Sequence, residues 1–210
     1  MRENKEVWIN LVLTLHEVTQ FSRLGSIKAP ESAPAEEQGI STLLLDAANK
    51  VAASKLYSSG AGSSGFTLFT YTDLQQADAA GCREAVDSLF FDEIDALLLD
   101  GSACFAPDNQ NSAELLELLL SRGIMPISAT DHTATEHGAL IAPWAGNGER
   151  LNRELAAFLM QEGSGMEDAT FTPNLPPLFS LNTATAARLG FDPPVLLLVL
   201  TKHYVIAPPR

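Results

Sequence analysis

Two short apolar runs in this chain each end in a group of polar residues that could bind a small molecule. The segment EIDALLLD carries the first run and GIMPISATD carries the second. The polar residues are Asp100, Gly101 and Ser102 after the first run, and Thr130, Asp131 and His132 after the second. A leucine-faced segment between the runs predicts a helix capped by Asn111 or Ser112 and stopped by Gly123. In an open α/β sheet, ligands bind beyond the carboxyl ends of the strands, where these polar groups would meet.

Asp131 has two interpretations. It is either the cap of a helical turn, or a carboxylate at the crevice that pairs with a ligand ammonium or accepts hydrogen bonds. Ser32, beyond the first predicted strand, is either a ligand contact or a surface loop residue. Trp144 either stacks on a planar or cationic ligand or packs as a partly buried side chain. The candidate ligand-binding residues are therefore Asp131, Ser102, Gly101, Asp100, Ser32 and Trp144.

The segment DHTATEHG holds the one cluster of histidines and carboxylates in the sequence. His132 and Glu136 are four residues apart and share a helical face, which suits two ligands of a divalent metal, with Asp131 as a third. No H-E-x-x-H pattern or distant further ligand supports this, so we interpret the segment as a capped turn with solvated charges. We predict no metal site, and a metal-assisted hydrolase centred on His132, Glu136 and His137 is the second alternative.

Two other motifs point toward enzymes, and both lack the context that the chemistry requires. Ser102 and Cys104 follow a buried strand, where a nucleophile would stand, but the sequence has no G-x-S-x-G elbow. Gly60, Gly62 and Gly65 match G-x-G-x-x-G, yet the motif follows a predicted helix and opens a strand, the reverse of a dinucleotide site. We predict a linker there, no catalytic residue and no cofactor.

Composition excludes several classes of partner. The 210 residues include 13 basic and 26 acidic side chains, a net charge of -13, which would repel phosphate backbones and anionic lipid surfaces. We therefore expect no nucleic-acid partner. Cys82 and Cys104 are the two cysteines, too few for a disulfide framework. We expect both to be small buried hydrophobes, and a single bridge between them stays open.

The apolar segments are too short for membrane insertion. The amino-terminal apolar pattern is interrupted by polar residues and predicts an amphipathic helix rather than a signal peptide. The longest apolar run, Val195–Leu200, is far shorter than the ~20 residues of a membrane span. We expect that run either to dock into the core or to bury itself against another copy of the chain.

The predicted elements alternate between helix and strand along most of the chain. The predicted helices span residues 4–21, 40–56, 74–90, 149–161 and 182–189, in addition to the leucine-rich helix. Asp73 caps helix 74–90, and Gly190 ends helix 182–189. The predicted strands span residues 23–28, 66–71, 94–99 and 139–141, in addition to the second apolar run. Such alternation predicts an α/β fold with a doubly wound, mostly parallel sheet and helices on both faces. We expect a single domain over residues 1–210.

Read in order, these segments resemble the substrate-binding proteins of ABC transporters that have the periplasmic-binding-protein type I fold, mainly their C-terminal lobe. The segment PPLFSLNTATAARLGFDPP, residues 176–194, resembles the closing run of that family, an IN pair, a T-A helix, LG and then Pro. The segments IDALLLDGS, ELLLSRGIMPISATD and HGALIAPW resemble the family's strand-and-loop elements. The likeness runs from Val7 to Pro194.

The resemblance implies a non-enzymatic solute-binding module, with residues 1–162 as a Rossmann-like lobe and 163–210 as a crossover segment. It favours the ligand role of Asp131, and implies a small polar solute such as an amino acid and an ABC transporter permease as partner. It implies an extracytoplasmic compartment if a leader was removed, or the cytoplasm if Met1 is the native start. The family clamps its ligand between two lobes, and this sequence matches one. The first alternative is therefore a remnant lobe that self-associates as a homodimeric scaffold.

Overall fold

The computed structural model describes residues 14–28, 66–72, 74, 76, 78–99, 102–106, 109, 111–129, 132–144, 149, 153, 156 and 177–206. The predicted helix 40–56, the glycine motif 60–65, and Ser32 lie outside the described residues. Within the described part, residues 149, 153 and 156 are helical, where the sequence predicts a helix over 149–161.

In the part of the chain that the structure describes, seven strands form one sheet. They are β1 Arg23–Ile27, β2 Thr67–Tyr71, β3 Ala96–Leu98, β4 Met125–Ile127, β5 Ile141–Pro143, β6 Phe179–Asn182 and β7 Thr201–Val205. Their order across the sheet is β2-β1-β3-β4-β5-β6-β7. Every neighbouring pair is parallel except β5 and β6, which are antiparallel. The predicted mostly parallel α/β sheet is confirmed.

Helices cover both faces of this sheet. They are α1 at residues 14–19, α2 Ala79–Phe91, α3 Ser112–Ser121, α4 Thr133–Glu136, α5 Thr183–Leu189 and α6 Val195–Leu200. Neighbouring residues of β3 enter different apolar cores: Leu98 packs with α1, α5 and α6, and Leu97 packs with α2 and α3. Because successive strand residues point to opposite faces, the two cores lie on the two sides of the sheet.

Helix α2 begins later than the sequence predicts. The predicted start at Leu74 with an Asp73 cap is wrong, because the helix starts at Ala79 with Asp78 as its N-cap. The Asp78 Oδ1 atom accepts a hydrogen bond from the backbone N–H of Gly81 at 2.8 Å. Leu74 precedes the helix and is buried in the core. A side-chain oxygen at the N-cap satisfies an amide that has no partner within the helix, which explains why the helix starts there.

The carboxyl-terminal third contains more strands than the sequence predicts. The strand predicted at 139–141 lies at Ile141–Pro143, and strands β6 and β7 were not predicted. The apolar run Val195–Leu200 is helix α6, with Leu197 and Leu200 buried and its other residues exposed. The run therefore docks into the core on one side and leaves an apolar surface on the other.

Cys82 and Cys104 form a disulfide, and both are fully buried. The expectation that they are buried is confirmed, and the bridge that the sequence left open is present. Cys82 lies in the first turn of α2, and Cys104 lies in a short 3-10 helix, Ala103–Phe105, after β3. The bridge ties the loop that follows β3 to the start of α2. Separately, no helix within the described ranges is long and apolar enough to cross a membrane.

Candidate functional site

The strand order reverses at one place in the sheet. From β1 the chain moves to β2 on one side, and from β2 it returns across β1 to β3 on the other side. Ligands of doubly wound sheets bind where the order reverses in this way, outside the carboxyl ends of the strands. The reversal here lies between β1 and β3, which pair in parallel with Leu24 opposite Ala96. We call the edge formed by the carboxyl ends of β1, β3, β4 and β5 the carboxyl rim.

The two polar loops that the sequence singles out follow neighbouring parallel strands. Strands β3 and β4 pair with Leu97 opposite Pro126, so the loops after them leave the same edge. Ser102 follows β3, and His132 follows β4. Adjacent strands lie about 4.8 Å apart, so the rim from β3 to β5 spans roughly 10 Å, the size of a small metabolite.

Ser102 is a buried residue of the loop after β3. Its Oγ accepts a hydrogen bond from the backbone N–H of Cys104 at 3.3 Å and thereby caps the short 3-10 helix. The disulfide from Cys104 to Cys82 also anchors this loop. Cys104 therefore has no thiolate to act as a nucleophile, and Ser102 is held in place by backbone and covalent contacts.

The structure describes two of the six predicted ligand-binding residues, Ser102 and Trp144. Asp100, Gly101, Ser32 and Asp131 lie outside the described residues, and their roles stay predictions. Thr130, which precedes Asp131, lies outside as well.

Trp144 belongs to a group of three rings, which we call the His–Trp cluster. It directly follows β5, and its ring centre lies 5.0 Å from that of His132 and 5.1 Å from that of His203, with which it stacks at 30°. The centres of His132 and His203 are 6.0 Å apart. All three side chains are half-buried. The cluster brings together one residue that follows β4, one that follows β5 and one in the middle of β7.

A buried hydrogen-bond chain supports this cluster. The hydroxyls of Thr135 and Ser180 are 2.7 Å apart, and the Ser180 hydroxyl lies 2.9 Å from Nδ1 of His203. The Thr135 hydroxyl also donates to the backbone oxygen of His132 at 2.6 Å. Thr135 and Ser180 are both fully buried. The chain therefore connects the backbone of His132 to the ring of His203.

The segment LNTATAARLG holds the last part of the sheet against α4. Asn182 caps α5 by accepting the backbone N–H of Thr185 at 3.0 Å, and its Nδ2 donates to the backbone oxygen of Thr135 at 2.8 Å. The Thr185 hydroxyl donates to the backbone oxygen of Gly138 at 3.0 Å. These bonds position the strand that carries Ser180, and they explain the Asn-Thr pair at the start of this segment.

The metal-ligand set considered from the sequence can be followed only for His132, Glu136 and His137, because Asp131 lies outside the described residues. Glu136 and His137 are exposed, while His132 turns toward the His–Trp cluster. Among the residues that the structure describes, no three His, Cys, Asp or Glu side chains lie together as a metal site would require. Sequence spacing missed His203, because a residue on a distant strand carries no local signal of its neighbours.

Comparison with known proteins finds similarity in structure alone. No protein-family model matches the chain, and no curated protein matches it either. It superposes on a conserved domain protein from Vibrio cholerae O1 biovar eltor at a TM-score of 0.56 and 17% identity, over 94% of this chain and 60% of that one.

Two further solved structures are similar over nearly the whole chain. A substrate-binding protein with adhesive properties from Clostridium difficile, in its ligand-free open form, matches at a TM-score of 0.56 and 17% identity, over 93% of this chain and 59% of that one. An ABC domain in complex with L-Trp from Streptococcus pneumonia matches at a TM-score of 0.51 and 13% identity, over 93% of this chain and 62% of that one. The chain thus spans about 60% of the length of the Vibrio cholerae protein. At these identities the likeness shows the fold, and the chain has the α/β fold of the periplasmic binding proteins.

Proposed function

We propose that this chain is a non-enzymatic module that binds a small polar solute at the carboxyl rim. The observation that carries the proposal is the parallel pairing of β3 with β4 beside the reversal of strand order at β1 and β3. Polar loops at such a reversal are the usual ligand-binding elements of this architecture. The structural neighbours support the same class, since one is described as a substrate-binding protein and another is in complex with L-Trp.

The ligand would lie between the loops after β3 and β4. In this proposal the carboxylate of Asp131 pairs with a ligand ammonium, and the Ser102 hydroxyl and the Gly101 backbone bind from the opposite side. Asp100, Ser32 and Trp144 complete the contacts along the rim. A ligand that carries both an ammonium and hydrogen-bond acceptors, such as an amino acid, would bind the polar groups of both loops.

The compartment and the transport partner form part of the same proposal. Disulfides persist in oxidising compartments, so the buried Cys82–Cys104 bridge supports an extracytoplasmic location. An ABC transporter permease is the partner that solute-binding proteins of this fold serve. The neighbours contain further chain beyond the matched region, and delivery to a permease would depend on that part as well.

Thermal unfolding of the full chain against a library of amino acids and small polar metabolites tests the binding site. A ligand at a hundredfold its dissociation constant adds about 2.7 kcal/mol to the free energy of unfolding. We expect a hit whose stabilisation is lost in Asp131→Ala and kept in Asp192→Ala, an exposed aspartate in the loop after α5. A library without any stabilising compound, or a hit that Asp131→Ala leaves unchanged, contradicts the proposal.

The second candidate function is a scaffold that self-associates through its carboxyl-terminal surface. Apart from Phe90 and Phe91, the exposed large hydrophobic residues in the described part of the chain lie between residues 195 and 206. They are Val195, Leu196, Leu198, Val199, Tyr204 and Ile206. Residues 195–206 contain Lys202 and His203 but no acidic residue, in a chain of net charge -13. Two copies can therefore bring these surfaces together without bringing carboxylates together.

Sedimentation velocity at increasing protein concentration tests this second candidate. We expect a dimer that Val199→Asp dissociates, because the substitution places a charge in a dehydrated apolar contact. Phe91→Asp is the matched control, since Phe91 is also apolar and exposed but lies at the end of α2. A monomer at all concentrations, or equal dissociation by both variants, excludes this interface.

A further inference from the structure

The Cys82–Cys104 bridge joins the connections that follow the two strands on either side of β1. Cys82 lies in the first turn of α2, the helix that follows β2, and Cys104 lies in the 3-10 helix that follows β3. Both strands pair in parallel with β1, so both connections leave the sheet at the same edge. Ile27, the last residue of β1, is buried in the same apolar core as the two cysteines. The bridge therefore spans the place where the strand order reverses.

The 3-10 helix Ala103–Phe105 depends on few contacts with the rest of the molecule. Among the residues that the structure describes, the hydrogen bonds of residues 102–106 all stay within residues 102–109. The backbone oxygen of Ser102 accepts the N–H of Phe105 at 3.1 Å, as its Oγ accepts that of Cys104. Short 3-10 helices have poor hydrogen-bond geometry. The disulfide and the apolar packing of Cys104 and Phe105 therefore hold this helix in place.

The other end of the bridge lies on an element that is stable without it. Helix α2 has 13 residues and buries Ala85, Val86 and Leu89. Its first turn is fixed by the Asp78 cap, and the N–H of Cys82 donates to the backbone oxygen of Asp78 at 3.0 Å. The bridge thus attaches a weakly held 3-10 helix to a firmly packed α-helix.

We propose that the Cys82–Cys104 bridge is a redox-sensitive restraint, which orders residues 102–106 and releases them on reduction while the sheet stays folded. The reductant is a dithiol. Its thiolate attacks one sulfur, and its second thiol then displaces the protein thiol from the mixed disulfide. Two electrons and two protons pass to the cysteines, and the dithiol becomes a disulfide. Both cysteines are fully buried, so this exchange requires local opening of the segment.

The restraint would regulate the solute site, and in this respect the inference rests on the proposed function. Ser102 belongs to the restrained segment and is one of the residues proposed to contact the solute. A segment that is released must be ordered again when a ligand binds, and that ordering lowers the affinity. The oxidised chain would therefore bind its solute more tightly than the reduced chain.

Hydrogen exchange followed by mass spectrometry tests the restraint on the full chain without any ligand. The oxidised wild type is compared with Cys82→Ala/Cys104→Ala, in peptides that cover residues 102–106. We expect exchange there to become faster by about thirtyfold or more, the change in an opening equilibrium that corresponds to a typical disulfide. Peptides from β4 and β6 should stay protected, because the sheet remains folded.

Leu200→Ala is the matched control for a general loss of stability. Leu200 is buried in the core on the other face of the sheet, and this variant keeps the bridge. Urea is added to the more stable variant until the two free energies of unfolding agree. Exchange that requires unfolding of the whole chain is then equally fast in both variants. Residues 102–106 should exchange faster only in the variant without the bridge.

Two outcomes would overturn the restraint. One is exchange of residues 102–106 that is no faster without the bridge than in Leu200→Ala. The other is loss of protection in β4 and β6 together with residues 102–106, which would mean that the bridge holds the whole fold. If the double variant does not fold, the wild type reduced with dithiothreitol replaces it, and a reduced chain that is unfolded contradicts the proposal.

The effect on solute binding is measured with any compound that stabilises the oxidised wild type. Its affinity should fall by about tenfold in Cys82→Ala/Cys104→Ala and stay unchanged in Leu200→Ala. Equal affinities in the two variants would overturn the regulatory part. If no compound binds the oxidised chain, the proposed function fails, and hydrogen exchange still decides whether the bridge orders residues 102–106.

Discussion

At the scale of residues, the buried polar side chains concentrate where α4, α5 and β6 meet. Asn182, Thr185, Thr135 and Ser180 are all fully buried. Each of them makes at least one hydrogen bond to a backbone group or to a hydroxyl within this region. A buried polar group that loses its partner costs about 1–3 kcal/mol, so such a network favours a single arrangement of its strands and helices.

Asn182→Ala should destabilise the chain by about 1–3 kcal/mol. The substitution removes the cap of α5 and leaves the backbone oxygen of Thr135 without the Nδ2 donor. Urea unfolding followed by circular dichroism measures the change. Ser121→Ala, at an exposed position at the end of α3, is the control and should change stability by less than about 0.5 kcal/mol. Equal effects of the two variants would contradict the structural role of Asn182.

At the scale of elements, an exposed ion pair joins α3 to α5. Arg188 donates to both carboxylate oxygens of Glu117 at 2.6 Å. These hydrogen bonds, with the charge of Arg188, hold the pKa of the Glu117 carboxyl below its ordinary value. Both side chains are substantially exposed, so solvent screens the pair and we expect it to contribute less than about 1 kcal/mol.

The contribution of this pair should depend on pH in a defined direction. Because the folded-state pKa of Glu117 is lowered, the stabilisation is present above the ordinary pKa of a glutamate and is lost as the pH falls through the lowered value. Urea unfolding of the wild type and of Glu117→Gln should differ by less than about 1 kcal/mol at neutral pH. The difference should shrink in acid and in high salt. A difference that grows as the pH falls would contradict the assignment.

At the scale of the whole molecule, the Cys82–Cys104 bridge lies in the core formed by α2 and α3. It links two crossover connections of the sheet, the one before β3 and the one after it. The bridge closes a loop with a sequence separation of 22 residues. In the loop-entropy model, a bridge of that size stabilises the folded chain by about 3 kcal/mol, because it restricts the unfolded chain.

Reduction of this disulfide should lower the free energy of unfolding by about 3 kcal/mol. Urea unfolding with and without dithiothreitol measures the loss, and mass spectrometry of the alkylated protein reports the state of the two cysteines. The Cys82→Ala/Cys104→Ala double variant should be less stable than the oxidised wild type and insensitive to dithiothreitol. A wild-type chain whose cysteines are alkylated without prior reduction would show that the bridge is absent.

Much of the fold could be predicted because its signals are local. Parallel strands are buried on both faces, so the segments around Ala96–Leu98 and Met125–Ile127 appear as short apolar runs. Gly123 and Gly190 end their helices with φ angles of +72° and +62°, which glycine adopts without strain. The polar groups after β3 and β4 could be placed on one edge because alternation of helix and strand implies parallel pairing.

The sequence by itself determined the alternation of elements, the mostly parallel sheet and the expectation of a polar rim, since each depends on periodicity and on residues close together in the chain. Tertiary structure alone decided the antiparallel pairing of β5 with β6, the edge position of β7, the Cys82–Cys104 bridge and the approach of His203 to His132. Strands β6 and β7 are short and partly polar, so their apolar pattern is weak. Contacts between distant segments arise from how the elements pack, and neither composition nor residue spacing along the chain predicts them.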